Sequence, residues 1–361
     1  MNKKILSLPV SVNILALLAI IAITIVGFFS LWWKSLAINS WQSFDLLLFW
    51  TFLVAPLIFG GFLLLPLGGR KIKVAFYIFL LAALGQAITS MLIGKMAAEI
   101  ILLLCAFILM VIVVYLAGLY LKTTFLPQQS PHSREYIYMA LFWFIIGSGF
   151  NLYLVLNKIF NFQIILSNSM FHFIQIGIYG FIFPMLLIIT SQDQNLPAKI
   201  KSSLFYGLNL GLVLTCLSSL GDIVIFAGNC ILILTMVAYI WFLHLWREKE
   251  AYWLFLILAV ACNLAIIILP FFNKEIDLLW MAGSLFLLWG FGAGAISSLL
   301  PAQKILLREK IVPYVWELAT LVFIGSFWWQ PLSIAVGIIL IIGLFLNLIS
   351  LRQPQSGEIE V

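Results

Sequence analysis

Long apolar stretches recur along the whole chain, each closed by a short polar break. The runs fall at 10–33, 45–66, 73–94, 97–121, 136–157, 169–190, 201–219, 222–246, 251–271, 278–299, 311–329 and 331–350. Each approaches the roughly 20 residues that a helix needs to cross the hydrocarbon layer of a bilayer. The breaks, such as Leu67-Gly-Gly-Arg-Lys and Gln194-Asn-Leu-Pro-Ala-Lys, carry the Pro, Gly and charged residues that punctuate helices. The pattern predicts an all-α, polytopic transmembrane bundle of about twelve spans. No linker, low-complexity segment or shift in composition divides it, so residues 1–361 read as one integral membrane domain.

Composition narrows this further. The chain is 64% hydrophobic and 9% charged, with a mean hydropathy of +1.18. A soluble domain carries about 25% charged residues, so the surface implied here faces lipid. The N-terminal Met1-Asn-Lys-Lys followed by apolar residues resembles a secretion signal. Its apolar run continues to Trp33 without a small-residue cleavage site, which predicts a first span instead.

The charge balance sets an orientation. With the N-terminus in the cytoplasm, fifteen of the 19 Lys and Arg residues fall in inside loops, and only Lys34, Lys95, Lys158 and Lys274 fall outside. A missed or invented span would invert every later loop and blur the asymmetry. The bias of cytoplasmic loops toward Lys and Arg therefore predicts both termini inside, in a plasma (cytoplasmic or inner) membrane. It also accounts for the net charge of +6. No stretch is basic enough to track a phosphate backbone, so nucleic acid is not an expected partner. The lipid bilayer is, together with the subunits of a membrane complex. The four cysteines, Cys105, Cys216, Cys230 and Cys262, lie in apolar runs without CxxC spacing and read as buried thiols.

Three spans are distantly alike, at intervals of four. Ser43-Phe-Asp-Leu-Leu-Leu-Phe-Trp50, Met170-Phe-His-Phe-Ile-Gln-Ile-Gly177 and Gly283-Ser-Leu-Phe-Leu-Leu-Trp-Gly290 open spans two, six and ten. Each span leads to a proline-bearing turn, at Pro66, Pro197 and Pro301. On His172-Phe-Ile-Gln-Ile-Gly177 with Pro197, and on Gly290-Phe-Gly-Ala-Gly294 with Pro301, the chain resembles subunit I of the haem-copper oxidases. It resembles more closely the shorter nitric-oxide-response membrane proteins (NnrS-like). The resemblance implies three four-helix pseudo-repeats and a haem held by His172.

The donor set departs from that family. A haem-copper centre takes about six imidazoles across its two haems and copper, and this chain has three histidines, His132, His172 and His244. His172 and His244 fall near opposite faces, on the order of 30 Å apart at 1.5 Å per helical residue, and cannot share a metal. The resemblance thus implies a member without a full centre and not a working oxidase, with an enzymatic role left open. The competing readings are a secondary transporter or small-molecule or lipid carrier, and a structural or assembly subunit.

Few polar groups remain inside the spans. Glu317 is the one acid well inside a run, about two turns from Lys310, and reads either as a proton- or cation-binding carboxylate or as an acid near the interface. Asp45 and Asp222 sit at outer ends, where an acid can cap a helix. Asn13, Gln86, Asn151, Gln175, Asn209, Asn229, Asn263 and Asn347 spread amides over many helices. They read as interhelical hydrogen-bonding groups or as the lining of a polar path. Gly207-Leu-Asn-Leu-Gly211 fits small-residue helix packing. Trp32, Trp33, Trp41, Trp280, Trp328 and Trp329 cluster at predicted outer ends, as interfacial aromatic belts do.

Overall fold

The computed structural model describes residues 70–90, 96–122, 131–160, 176–184, 197–217, 221–242, 252–268, 283, 286–287, 311–326, 328–329 and 331–350. Helix is the one regular structure among the described residues. Eight α-helices occur there: α1 (Arg70–Ser90), α2 (Met96–Lys122), α3 (Pro131–Phe160), α4 (Ala198–Cys216), α5 (Asp222–Phe242), α6 (Tyr252–Ile268), α7 (Val312–Gly325) and α8 (Leu332–Ser350). A π-helical segment, Ile176–Ile182, lies between α3 and α4. The expected runs at 10–33 and 45–66, and nearly all of 278–299, lie outside the described residues.

Helix ends depart from the apolar runs where local chemistry sets them. α3 starts five residues before its apolar run, because Pro131 opens the helix and His-Ser-Arg-Glu continues it. Proline suits that first position, having no N–H to leave unpaired. α7 stops at Gly325, where the Ser326 N–H and Oγ turn back onto the Phe323 carbonyl. Pro331 then opens α8, its carbonyl accepting from Ile334 N. The short link between α4 and α5 passes through Gly221, whose φ of 123° is a conformation that side chains oppose.

Three described helices are long and apolar enough to cross a bilayer: Met96–Leu119, Glu135–Asn157 and Ile223–Phe242. Their packing is the inverse of a soluble core. Along α2, Ala98, Leu102, Ala106, Leu109, Val113 and Leu116 form one buried stripe. The rest of its circumference exposes Ile100, Leu104, Phe107, Ile108, Val111 and Val114. Elsewhere Leu81, Leu234 and Ile334 stand 69, 67 and 67% exposed. Wetting such faces would cost about 25 cal/mol per Å², so the medium they suit is lipid.

Side-chain pairs give each helix a direction. Phe79 meets Phe144 and Gln86 meets Asn151, seven residues on in both helices, so α1 and α3 run parallel. Leu102 and Ala106 of early α2 pack on Val155 of late α3, an antiparallel pairing. Trp143 and Phe144 meet Gly180 and Phe181 while Gly147 meets Ile176, so the π segment runs against α3. Tyr136 reaches Lys201 and Trp143 reaches Asn209, which makes α4 parallel to α3. Gly207 faces Thr235 and Gly211 faces Leu232, so α5 returns against α4. Val315 and Trp316 of α7 face Gly343 of α8, and Gly325 faces Leu332, again antiparallel. Direction alternates from one element to the next wherever a pair can be read among the described residues.

Hydroxyls inside these helices satisfy themselves. Thr89, Ser148, Thr215, Thr235 and Thr320 each donate to a carbonyl three or four residues earlier, at 2.7–2.9 Å. Such back-bonding removes the cost of a lone hydroxyl in an apolar setting.

Candidate functional site

Among the described residues most interhelical side-chain hydrogen bonds lie along α3, on the sides that face α4, α5 and α1. At the start of α3, the Tyr239 hydroxyl of α5 donates to the Tyr136 hydroxyl, which donates to the Lys201 carbonyl at 3.1 Å. Phe205 stands edge-on to the Tyr136 ring and Phe183 edge-on to the Tyr239 ring, closing the pair off on both sides.

Two turns further, the Trp143 indole N–H donates to Asn209 Oδ1 at 3.1 Å. Asn209 Nδ2 in turn donates to the Phe205 carbonyl at 3.0 Å and contacts Met139 Sδ at 3.2 Å. The Asn209 amide is therefore fully engaged between α3 and its own helix. Opposite, the π segment lies flush on α3. A Cβ at Gly180 would stand 2.7 Å from Trp143 Cβ and Cγ, and the Phe181 and Phe144 rings stack with centroids 4.1 Å apart. Only glycine permits that approach.

The π segment carries Tyr179, fully buried, whose hydroxyl accepts from Asn263 Nδ2 at 2.6 Å and so ties it to α6. Seven-residue π-helices are rare and recur at functional sites, and this one begins four residues after His172. Nearer the end of α3, Gln86 Nε2 donates to Asn151 Oδ1 at 2.8 Å, and Asn151 Nδ2 donates back to Gln86 Oε1 at 3.1 Å.

Of the residues singled out in the sequence, Asn209 is at the centre of this array, and Glu317 lies on α7 and takes no part in its hydrogen bonds. His172, Gln175 and Asp45 lie outside the described residues. Among the described residues no cluster of three or more His, Cys, Asp or Glu side chains has the spacing to hold a metal ion. The sequence reading passed over Tyr136, Tyr179, Tyr239 and Trp143. They count as apolar in a hydropathy pattern, and only their repeated placement within spans could have marked them, since a buried Tyr or Trp usually finds a hydrogen-bond partner.

The ladder makes an ordering prediction. Tyr136→Phe breaks both phenol contacts, whereas Tyr239→Phe leaves the Tyr136–Lys201 bond. Unfolding in detergent should show a loss of about 1 kcal/mol for Tyr239→Phe and about twice that for Tyr136→Phe. Equal losses would mean that the Lys201 bond contributes nothing.

Compared with known proteins, the chain matches no family model, no curated protein and no solved structure.

Proposed function

We propose that this chain is a multi-pass protein of the plasma (inner) membrane, with twelve spans in one domain and both termini cytoplasmic. In this reading it keeps the haem-copper-oxidase-like fold of the nitric-oxide-response proteins without a complete haem-copper centre. The observation that carries the membrane part is the alternation of helix direction combined with apolar outward faces. Alternation is what successive spans joined by short loops must show, and those faces suit lipid. The 15-to-4 loop asymmetry supplies the orientation.

The donor set limits the chemistry. Three histidines do not meet the needs of two haems and a copper, so no catalytic step is assigned to such a centre. His172 is the residue through which a single haem would be held.

A reduced-minus-oxidised visible spectrum of the detergent-purified protein, with metal analysis of the same sample, tests the proposal. The expected sample lacks stoichiometric copper and any paired-haem signature. A single Soret band lost in His172→Ala would assign one haem to that residue. Copper together with two haems would contradict the proposal. A colourless, metal-free protein would leave the carrier and assembly roles.

A further inference from the structure

Glu317 sits one or two turns into α7, and the sequence alone puts it close to a membrane surface because Lys310 precedes it by only seven residues. The register of the α7–α8 hairpin gives its level along a neighbouring helix. A Cβ on Gly343 would stand 3.3 Å from Val315 Cγ1 and 3.7 Å from Trp316 Nε1, and Gly325 meets Leu332 at the turn. Counting along antiparallel helices, Glu317 is level with Ile341 and Ile342 of α8. α8 has 19 residues, about 28 Å at 1.5 Å per residue. Glu317 therefore lies ~13 Å from its Ser350 end and ~14 Å from its Leu332 end, level with the middle of α8, the last span of the proposed topology.

Its surroundings are apolar and open. α7 buries Trp316, Ala319, Thr320 and Phe323 on one side and exposes Tyr314, Leu318 and Leu321 on the other. Glu317 is half-buried on the flank of that exposed stripe. Among the described residues its carboxylate makes no hydrogen bond or ion pair. Intramembrane acids normally pair with a base or face water. Every Lys and Arg of this chain falls in a loop or at the edge of a span in the proposed topology, so a second copy brings no base to this depth.

We propose that the Tyr314–Glu317–Leu318–Leu321 face of α7 receives a transmembrane helix of another protein, one that presents a lysine or arginine level with Glu317. The apolar stripe supplies a packing surface and the carboxylate supplies selection by charge. The proposal rests on the membrane-spanning reading above.

The test uses the purified full-length protein in phosphatidylcholine liposomes and a labelled leucine/alanine-rich transmembrane peptide with one central lysine. A peptide with leucine at that position is the control. Energy transfer should report association about tenfold tighter for the lysine peptide. Glu317→Gln, matched in shape and checked for unchanged thermal unfolding, should remove the preference, and Glu317→Asp should keep part of it. Equal association of the two peptides would overturn the proposal, as would a lysine preference that survives in Glu317→Gln. Carbodiimide labelling of Glu317 undiminished by the lysine peptide would also overturn it, pointing to a protonated acid in lipid. A chain that fails to float with liposomes contradicts the membrane reading itself.

Discussion

Gly228→Leu is expected to be the most damaging single substitution among the described helices. A Cβ at Gly228 would stand 2.8 Å from Thr215 N and 2.9 Å from the Gly211 carbonyl oxygen, both of them backbone atoms that cannot swing aside. Its partner is equally confined, since a Cβ at Gly211 would stand 2.7 Å from Leu232 Cγ and 3.1 Å from the Gly228 oxygen. Two helices approach this closely only where both lack side chains, which in lipid is the chief source of helix–helix attraction. Leucine at Gly228 forces α4 and α5 apart. Overpacking costs about 1–3 kcal/mol even where side chains can adjust, and here the lost contacts along α4–α5 add to it. Gly118→Leu is the internal control, because nothing stands within 4 Å of a Cβ there. Thermal unfolding of the detergent-purified variants should show a marked fall for Gly228→Leu, with aggregation on sizing. Gly118→Leu should stay within about 0.5 kcal/mol of the parent. Equal behaviour of the two would refute close α4–α5 packing.

The second large effect is a coupling. Gln86 and Asn151 are 0 and 1% exposed and exchange two hydrogen bonds between α1 and α3. Replacing either by leucine strands the other amide in an apolar interior, at about 1–3 kcal/mol. Replacing both removes the stranded group. The double variant should therefore be less destabilised than the sum of the singles, by about 0.6–1.7 kcal/mol, the range of interhelical bonds in membranes. Strict additivity in a double-mutant cycle would show that the two amides do not depend on each other.

These two sites show how much of the fold the sequence carried. Gly207 and Gly211 were legible as a packing motif because small residues four apart share a helix face. Gly228, which opposes Gly211, was not, since it lies on another helix and belongs to no repeat. Amides were legible as interhelical bonding groups in kind. Pairing Gln86 with Asn151 requires the register of α1 against α3, which hydropathy does not encode. The same holds for Glu317, whose level along α8 requires the register of α7 against α8. Among the described residues hydropathy located the helices, each of which overlaps a long apolar run. It misplaced the start of α3 and the end of α7, because Pro131 and Ser326 act through backbone hydrogen bonds. The π segment leaves no trace in apolar periodicity. Its close seat against Trp143 depends on Gly180, one glycine among 24.

Cysteine accessibility tests the central claim, a multi-pass chain with its N-terminus inside. In a background with the four native cysteines replaced, single cysteines are placed at Ser40, Asn161 and Asn273, and at Gln128, Gln194 and Gln303. An impermeant maleimide should label the first three in intact cells and the last three only after permeabilisation. Labelling at Gln128 or Gln194 in intact cells, or labelling of all six in a soluble fraction, would contradict the account.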